Sequence, residues 1–218
     1  MKIGIFGGTF NPVHYGHLRA AEEVREKLNL DKVIFIPAKS PPLKTKDIAP
    51  AKHRYEMLKI ALIDKEDFEL SDIEFRLRGK SYSARTVDRL KKAYPATEFY
   101  FILGIDAFVE IPLWWKPEKL INSTHFAIIS RPGCLFMNLQ KSPYMEIEKR
   151  ILKDLDDGNI PFCKQNLRGG KRAVLLRLTP IGISSTEIRR RIKKRSSIKY
   201  LLPPAVESYI IFNKIYRK

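Results

Sequence analysis

Two histidines three residues apart, His14 and His17, stand just downstream of a glycine pair, Gly7 and Gly8, which closes the short apolar run Ile3 to Phe6. Glycines let backbone N–H groups approach an anion with no side chain in the way. A helix starting near Tyr15 would aim its unpaired N–H groups and the positive end of its dipole at the same spot. On its first turn His14 and His17 share one side, and each imidazole can donate a hydrogen bond to a phosphoryl oxygen. This is chemistry for gripping phosphate. A Gly-Gly pair alone is only a turn signal, and two nearby histidines can also be metal ligands or plain surface residues. Zinc wants a larger donor set than two imidazoles, however, and no Cys, Asp or Glu stands beside them in the segment. The pattern is not a P-loop, because no Gly-Lys-Ser or Gly-Lys-Thr follows, nor is it the Gly-x-Gly-x-x-Gly dinucleotide fingerprint.

A second candidate grip lies near the C-terminus, at Ile183-Ser184-Ser185-Thr186-Glu187-Ile188-Arg189-Arg190-Arg191-Ile192. Ser184 followed by Glu187 reads as a capping box, so a helix starts here with its N–H groups exposed. Ile188 and Ile192 supply its buried side. A capped helix with a basic outer face explains all of this except the density of hydroxyls, which suits an anion.

The elements that must hold these groups read as follows. Short apolar runs at Lys2 to Phe6, Val33 to Pro37, Glu98 to Leu103, His125 to Ile129 and Ala173 to Leu178 lack strict alternation, which predicts strands covered on both faces. Between them, Leu18, Ala21, Val24 and Leu28 form one helical stripe and Tyr55, Leu58 and Leu62 another. Ala84 to Tyr94 is a further helix, ended by Pro95. The alternation predicts a doubly wound, mostly parallel α/β sheet, whose ligands bind outside the carboxyl ends of the strands. Pro37 to Pro50 is a proline-containing loop that bears Lys39, Lys44 and Lys46 and is long enough to fold over a ligand. Residues 134 to 172 predict a helix from Pro143 to Leu155 and turns at Asp157-Gly158-Asn159 and Gly169-Gly170. The expectation is one domain over residues 1 to 218, with 181 to 218 as a small helical subregion.

With 218 residues and 44% hydrophobic content, the chain can bury one core and is not disordered by composition. No apolar run reaches membrane-span length and no signal-peptide pattern opens the chain, so a cytoplasmic protein is expected, with Cys134 and Cys163 as free thiols. The net charge of +17 is concentrated from Arg131 onward, where basic residues far outnumber acidic ones. That balance suits anionic substrates or nucleic acid, and also an ordinary solvated face. A nucleic-acid role would rest on Arg189-Arg190-Arg191 and Lys193-Lys194-Arg195, but aromatic residues for base stacking are not interleaved with the cluster.

Taken together, these motifs resemble the nucleotidyltransferase superfamily, whose signature His-x-Gly-His stands intact at His14, Tyr15, Gly16 and His17. Within it the chain is similar to the bacterial nicotinate mononucleotide adenylyltransferases through most of its length. Gly7-Gly8-Thr9-Phe10-Asn11-Pro12, Pro41-Pro42-Leu43-Lys44, Ser81-Tyr82-Ser83-Ala84, Gly104-Ile105-Asp106, Trp114, Ser130-Arg131-Pro132-Gly133 and Ile183-Ser184-Ser185-Thr186 with Arg189 follow the family's order. Residues 134 to 180 match none of its motifs, and Ser83 stands where the pattern has Thr.

The resemblance implies a Rossmann-like fold and the joining of nicotinate mononucleotide to the AMP moiety of ATP. The products would be nicotinate adenine dinucleotide, for NAD biosynthesis, and pyrophosphate. It implies that His14 and His17 contact the triphosphate and that Lys44 and Arg189 complete the catalytic set. ATP would lie along Gly7, Gly8, Thr9, Phe10, Gly104, Asp106, Arg131, Ile183, Ser184, Ser185 and Thr186, with Asp106 on the ribose and Arg131 beside the adenine. Tyr82, Ser83 and Trp114 would hold the nicotinate. Apart from the family, Trp114 reads more often as a packing residue than as a platform, Tyr82 is unremarkable, and Asp106 reads equally as a helix cap. Mg²⁺ is expected to arrive on the ATP phosphates with no protein metal site. The alternative is a sister enzyme acting on nicotinamide mononucleotide, phosphopantetheine or glycerol phosphate; a homo-oligomer is compatible with either.

Overall fold

A computed structural model describes residues 1–42 and 47–217 of the chain. Strand β1 (Lys2–Gly8) leads into helix α1 (Tyr15–Leu28), and β2 (Lys32–Pro37) leads through the proline loop into α2 (Ala51–Ala61). There follow β3 (Phe68–Leu70), a short α3 (Ile73–Arg76), α4 (Ser83–Ala93), β4 (Glu98–Gly104), α5 (Ile105–Val109), α6 (Pro117–Ile121) and β5 (His125–Ile129). The remainder holds α7 (Lys149–Asp157), β6 (Phe162–Asn166), β7 (Arg172–Leu176), α8 (Ser185–Lys193) and α9 (Pro204–Phe212). The strands form one sheet in the order β3-β2-β1-β4-β5-β7-β6, and every pair is parallel except β6 with β7.

Neighbouring residues of the central strands are buried on opposite faces, which is why these strands read as unbroken apolar runs. Ile3, Ile5, Ile34, Ile36, Phe101 and Phe126 pack on one side with Val87 and Leu90 of α4, Phe108 of α5 and Leu152 of α7. Val33, Phe35, Ile102, Ala127 and Ile129 pack on the other with Val24 of α1, Met57 and Leu58 of α2, Ile188 of α8 and Ile210 of α9. The expected doubly wound α/β architecture is therefore the one observed.

The strand order reverses between β1 and β4. A crevice opens at such a switch point, outside the carboxyl ends of the two strands. Those ends are Gly7-Gly8 and Gly104. Both N-terminal glycines lie inside β1 rather than in the turn after it. The turn itself is made by Thr9 to Pro12, with Phe10 in the left-handed region at φ 47°.

One local expectation changes, and two strands appear that were not expected. The helix expected from Pro143 starts only at Lys149 and ends at Gly158, whose φ of 84° makes it the left-handed cap. Upstream of it, the 3₁₀ turn Phe136–Lys141 is held by the Asp156 carboxylate, which accepts from Phe136 N at 2.7 Å and Met137 N at 3.1 Å. Tyr144, in a turn, and Met145 just after it are buried, with the Tyr144 carbonyl taken by Arg168 N. The strands β3 and β6 gave no signal in the sequence. The first is three residues long, and the second is a polar, largely solvated edge strand. Among the described residues no helix is long and apolar enough to cross a membrane.

Candidate active site

At the carboxyl ends of β1 and β4 the two motifs, far apart in sequence, are joined. Ser185 Oγ donates to the Pro12 carbonyl at 2.8 Å, and Arg189 Nη1 donates to the Asn11 carbonyl at 2.9 Å. The first turn of α1 is seated by the same C-terminal portion, since Tyr15 N donates to Leu201 O at 3.2 Å. A cleft results whose walls include His14, His17, Ser130, Arg131, Thr179 and Ile183. The start of α1 and the segment ahead of α8 thus face one space. A larger depression of about 540 Å³ beside α8 and α9 is lined by Ile192, Lys193, Arg195, Ile198 and Ile210 and contains none of the histidines, glycines or hydroxyls of the two motifs, so the smaller cleft is the candidate site.

His14 is the N-cap of α1 and only 6% exposed. Its ring lies 3.8 Å, centroid to centroid, from that of His17. Burial, with the Arg131 guanidinium nearby, pushes the His14 imidazole from 6.5 down to about 4. The ring is therefore neutral near pH 7 and offers a hydrogen bond rather than a full charge. Its buried Nδ1 has no hydrogen-bond partner among the described residues. Gly16 explains the spacing His-x-Gly-His, because a Cβ there would sit 3.0 Å from His14 Nδ1 and 3.4 Å from Ile183 O. Phe6 and Phe10 flank the His17 ring with centroids 6.1 and 5.1 Å away.

The helix α8 starts as its sequence suggests, with Ser184 Oγ accepting from Glu187 N at 3.1 Å. Only half of the capping box forms, because the Glu187 carboxylate turns to Arg190 and Arg191 instead. Ser185 spends its hydroxyl proton on the Pro12 carbonyl, so its side chain ties rather than donates into the cleft. Thr186 is exposed and accepts from Arg189 Nη2 at 3.4 Å.

On the β4 side, the side chains of Asp106 and Arg131 cross the strand end over Gly104, where an added Cβ would meet Asp106 Oδ1 and Arg131 Cδ and oblige these partly exposed side chains to shift. Asp106 and Arg131 are paired at 3.2 Å. The Ser130 to Pro132 turn is fixed by Ser130 N donating to Leu176 O and Leu178 N donating to Ser130 Oγ. The buried Glu23 of α1 accepts from Thr179 N at 3.1 Å, which holds the far wall.

Tyr82 is the N-cap of α4 and makes no side-chain cap, which leaves the first-turn N–H groups of Ser83 and Ala84 available to an anion. Trp114 is half-buried against the core with its indole N–H unpartnered among the described residues. Its neighbour Trp115, 41% exposed, stacks on Tyr82 with centroids 4.9 Å apart and lies under Lys116 Nζ. Lys44 falls outside the described residues. Sequence reading passed over Trp115, Thr179, the tie made by Tyr216 OH to Asn11 Oδ1 at 2.7 Å, and the buried residues Arg54 and Glu74. Only Trp115 carried a signal, by adjacency to Trp114.

Residues 5–191 match the cytidylyltransferase-like family model, so the class is that of the nucleotidyltransferases. The chain is 41% identical to a probable nicotinate-nucleotide adenylyltransferase of Geotalea daltonii, over 99% of this chain and 98% of that one. It is 39% identical to the protein of the same description in Syntrophotalea carbinolica, over 100% and 98%. In fold it is similar to the Plasmodium falciparum nicotinic acid mononucleotide adenylyltransferase complexed with NaAD, with a TM-score of 0.74 at 22% identity, covering 99% of this chain and 97% of the other. The chain belongs to the nicotinate-nucleotide adenylyltransferases of the cytidylyltransferase-like family.

Proposed function

We propose that the cleft binds ATP and nicotinate mononucleotide side by side and transfers the adenylyl group between them. The observation that carries this reading is the joining of the Thr9 to Pro12 turn to the start of α8 through Ser185 and Arg189. Two helix N-termini then serve one polyphosphate chain. The Plasmodium relative binds NaAD, and a second structure of it is complexed with APC; both are in keeping with this reading.

An oxygen of the nucleotide's 5′-phosphate attacks the α-phosphorus of ATP. The new P–O–P bond forms as the bond to the β-phosphate breaks, and pyrophosphate leaves with the electron pair. A phosphate monoester has its second pKa near about 6, so the nucleophile is already mostly dianionic at neutral pH and needs no general base. The protein's part is alignment of two polyanions and stabilisation of charge on the α-phosphoryl and the departing pyrophosphate. His14 and His17 donate to phosphoryl oxygens, the amides of Thr9 and Phe10 and the first turns of α1 and α8 add dipole, and Arg189 adds charge. Mg²⁺ enters as part of the MgATP substrate. Apart from the hydroxyls of Ser130 and Thr179 and the Asp106 carboxylate already paired with Arg131, the groups at the site are imidazoles, amides and guanidiniums, which leave the metal to phosphate and water oxygens.

The nicotinate carboxylate is received by the N–H groups at the start of α4 beside Tyr82 and Ser83, with the indole of Trp114 or Trp115 as the ring's platform. Asp106 and Arg131 exchange their mutual ion pair for ribose and adenine. Initial rates of pyrophosphate release with ATP test the acceptor: nicotinate mononucleotide should turn over much faster than the amide. Equal rates would remove the carboxylate site at α4 from the account.

A further inference from the structure

Arg54 of α2 is the largest fully buried side chain, at 1% exposure, and it forms no ion pair with any described residue. Its guanidinium is spent on three carbonyls. Nη1 donates to Thr9 O at 2.8 Å, Nη2 to Lys39 O at 3.2 Å and Nε to Ala49 O at 3.0 Å. One side chain therefore fixes the turn after β1 and both ends of the segment from Lys39 to Ala49. A buried cation is costly unless its donors are satisfied, and only a planar fork with several N–H groups can serve three carbonyls at once.

The contact with Thr9 has a directional effect. The Thr9–Phe10 peptide bond is trans, since the cis bond among the described residues is Asn11–Pro12. In a trans peptide the carbonyl of one residue and the N–H of the next point to opposite sides. Holding the Thr9 carbonyl down on Arg54 turns the Phe10 N–H the other way. The Thr9 and Phe10 N–H groups have no acceptor among the described residues. Phe10 is itself held in the left-handed region, a conformation a non-glycine residue keeps only when its surroundings impose it.

We infer that Arg54 is a positioning residue for adenylyl transfer: from beneath the turn it orients the Thr9–Phe10 peptide so that its N–H faces the phosphates, and it sets the ends of the Lys39 to Ala49 segment against that turn. The inference rests on the reading that this turn receives phosphate. Arg54 itself touches no substrate. Its neighbour Glu74, also buried, continues the same scaffold toward the acceptor side, where its carboxylate accepts from Thr86 Oγ1 of α4 at 2.7 Å.

The test compares Arg54→Lys and Arg54→Met with the native chain. Three quantities are measured: thermal unfolding, kcat and KM with ATP and nicotinate mononucleotide, and backbone amide NMR signals of Thr9 and Phe10 titrated with ATP. Arg54→Lys keeps the charge but loses the fork, and should lower kcat on the order of a hundredfold, as small misplacements of a reacting group do, with a far smaller change in either KM. Its Thr9 and Phe10 signals should be displaced before ATP is added and should respond weakly to it. If Arg54→Met does not fold, the lysine variant decides the matter alone. Native kcat and native amide responses in Arg54→Lys would overturn the inference. So would a fall in kcat that tracks lost thermal stability with both amide signals unmoved. If the native Thr9 and Phe10 amides themselves ignore ATP, the phosphate reading of the turn fails first, and Arg54 loses its role with it.

Discussion

At the scale of single residues, the fold shifts the titration of His14. His14 is held neutral by burial and by Arg131, with its pKa at about 4 against 6.5. Between those values the unfolded chain takes up a proton that the folded chain refuses. The stability linked to His14 is therefore whole above about 6.5 and is lost as pH falls toward 4, by about 3 kcal/mol. Chemical unfolding across that interval should show the loss, and His14→Gln should flatten it. A bound triphosphate reverses the balance, because a polyanion favours the charged imidazole. ATP binding in mildly acidic solution should then draw in a proton, seen as a dependence of binding heat on the buffer's ionisation enthalpy. No such uptake would take His14 away from the phosphates. His17→Ala should slow turnover on the order of a hundredfold, the effect of removing one donor to developing oxyanion charge. An unchanged kcat would refute that role.

At the scale of elements, the site depends on ties between helix starts and a turn. The helix α8 is started by its own sequence through Ser184, but its place over the turn comes from Ser185 and Arg189. Ser185→Ala removes the bond to Pro12 O while leaving the cap in place. The expected cost is about 1 kcal/mol of stability, with KM for ATP raised and α8 still formed. Unfolding midpoints together with ATP saturation curves would check it, and an unaltered KM would mean that Arg189 and the packing of Ile188 hold α8 without Ser185. Glu74 gives the acceptor side a similar dependence. Burial raises its carboxyl above the ordinary range, against the hydrogen bonds from Ser81 and Thr86. Its contribution is accordingly full in acid and declines as pH rises through the raised value, opposite in sign to that of His14.

At the scale of the whole molecule, the two ends of the chain meet. Tyr216 OH donates to Asn11 Oδ1, which also accepts from Ala49 N, while Asn11 Nδ2 donates to Asp47 O. Asp47 is in turn paired with Lys193 of α8 at 2.9 Å. Asn11 thereby joins the turn after β1, the proline loop, α8 and the C-terminal segment, in which Ile215 is also buried. Removing residues 214–218 should lower kcat as well as stability, although these residues lie some two hundred positions from the histidines. Activity retained at the native rate by a folded truncated chain would show that the joint is dispensable. The basic C-terminal portion thus has structural work in the site before any question of other partners arises.

Much of this was legible beforehand, for identifiable reasons. Strands buried on both faces write themselves as apolar runs, so β1, β2, β4, β5 and β7 and the parallel sheet followed from the sequence. Glycine and histidine at fixed spacing, and serine ahead of glutamate, are local signatures whose physics is complete within a few residues, so the helices that follow both motifs were legible too. The edge strand β6 was not, because a solvated strand needs no apolar pattern. Nor were Arg54, Glu74 and Tyr216, since nothing local distinguishes a buried arginine from a surface one until its carbonyl partners come from elsewhere in the chain. The sequence by itself determined which groups are available and which elements carry them. Only the tertiary structure decided that Asn11 and Arg189 share a hydrogen bond, that Ser185 is a tie and that Trp115 rather than Trp114 meets Tyr82. Such contacts join residues far apart in sequence, and their energies exist only once the sheet has brought both partners to the same strand ends.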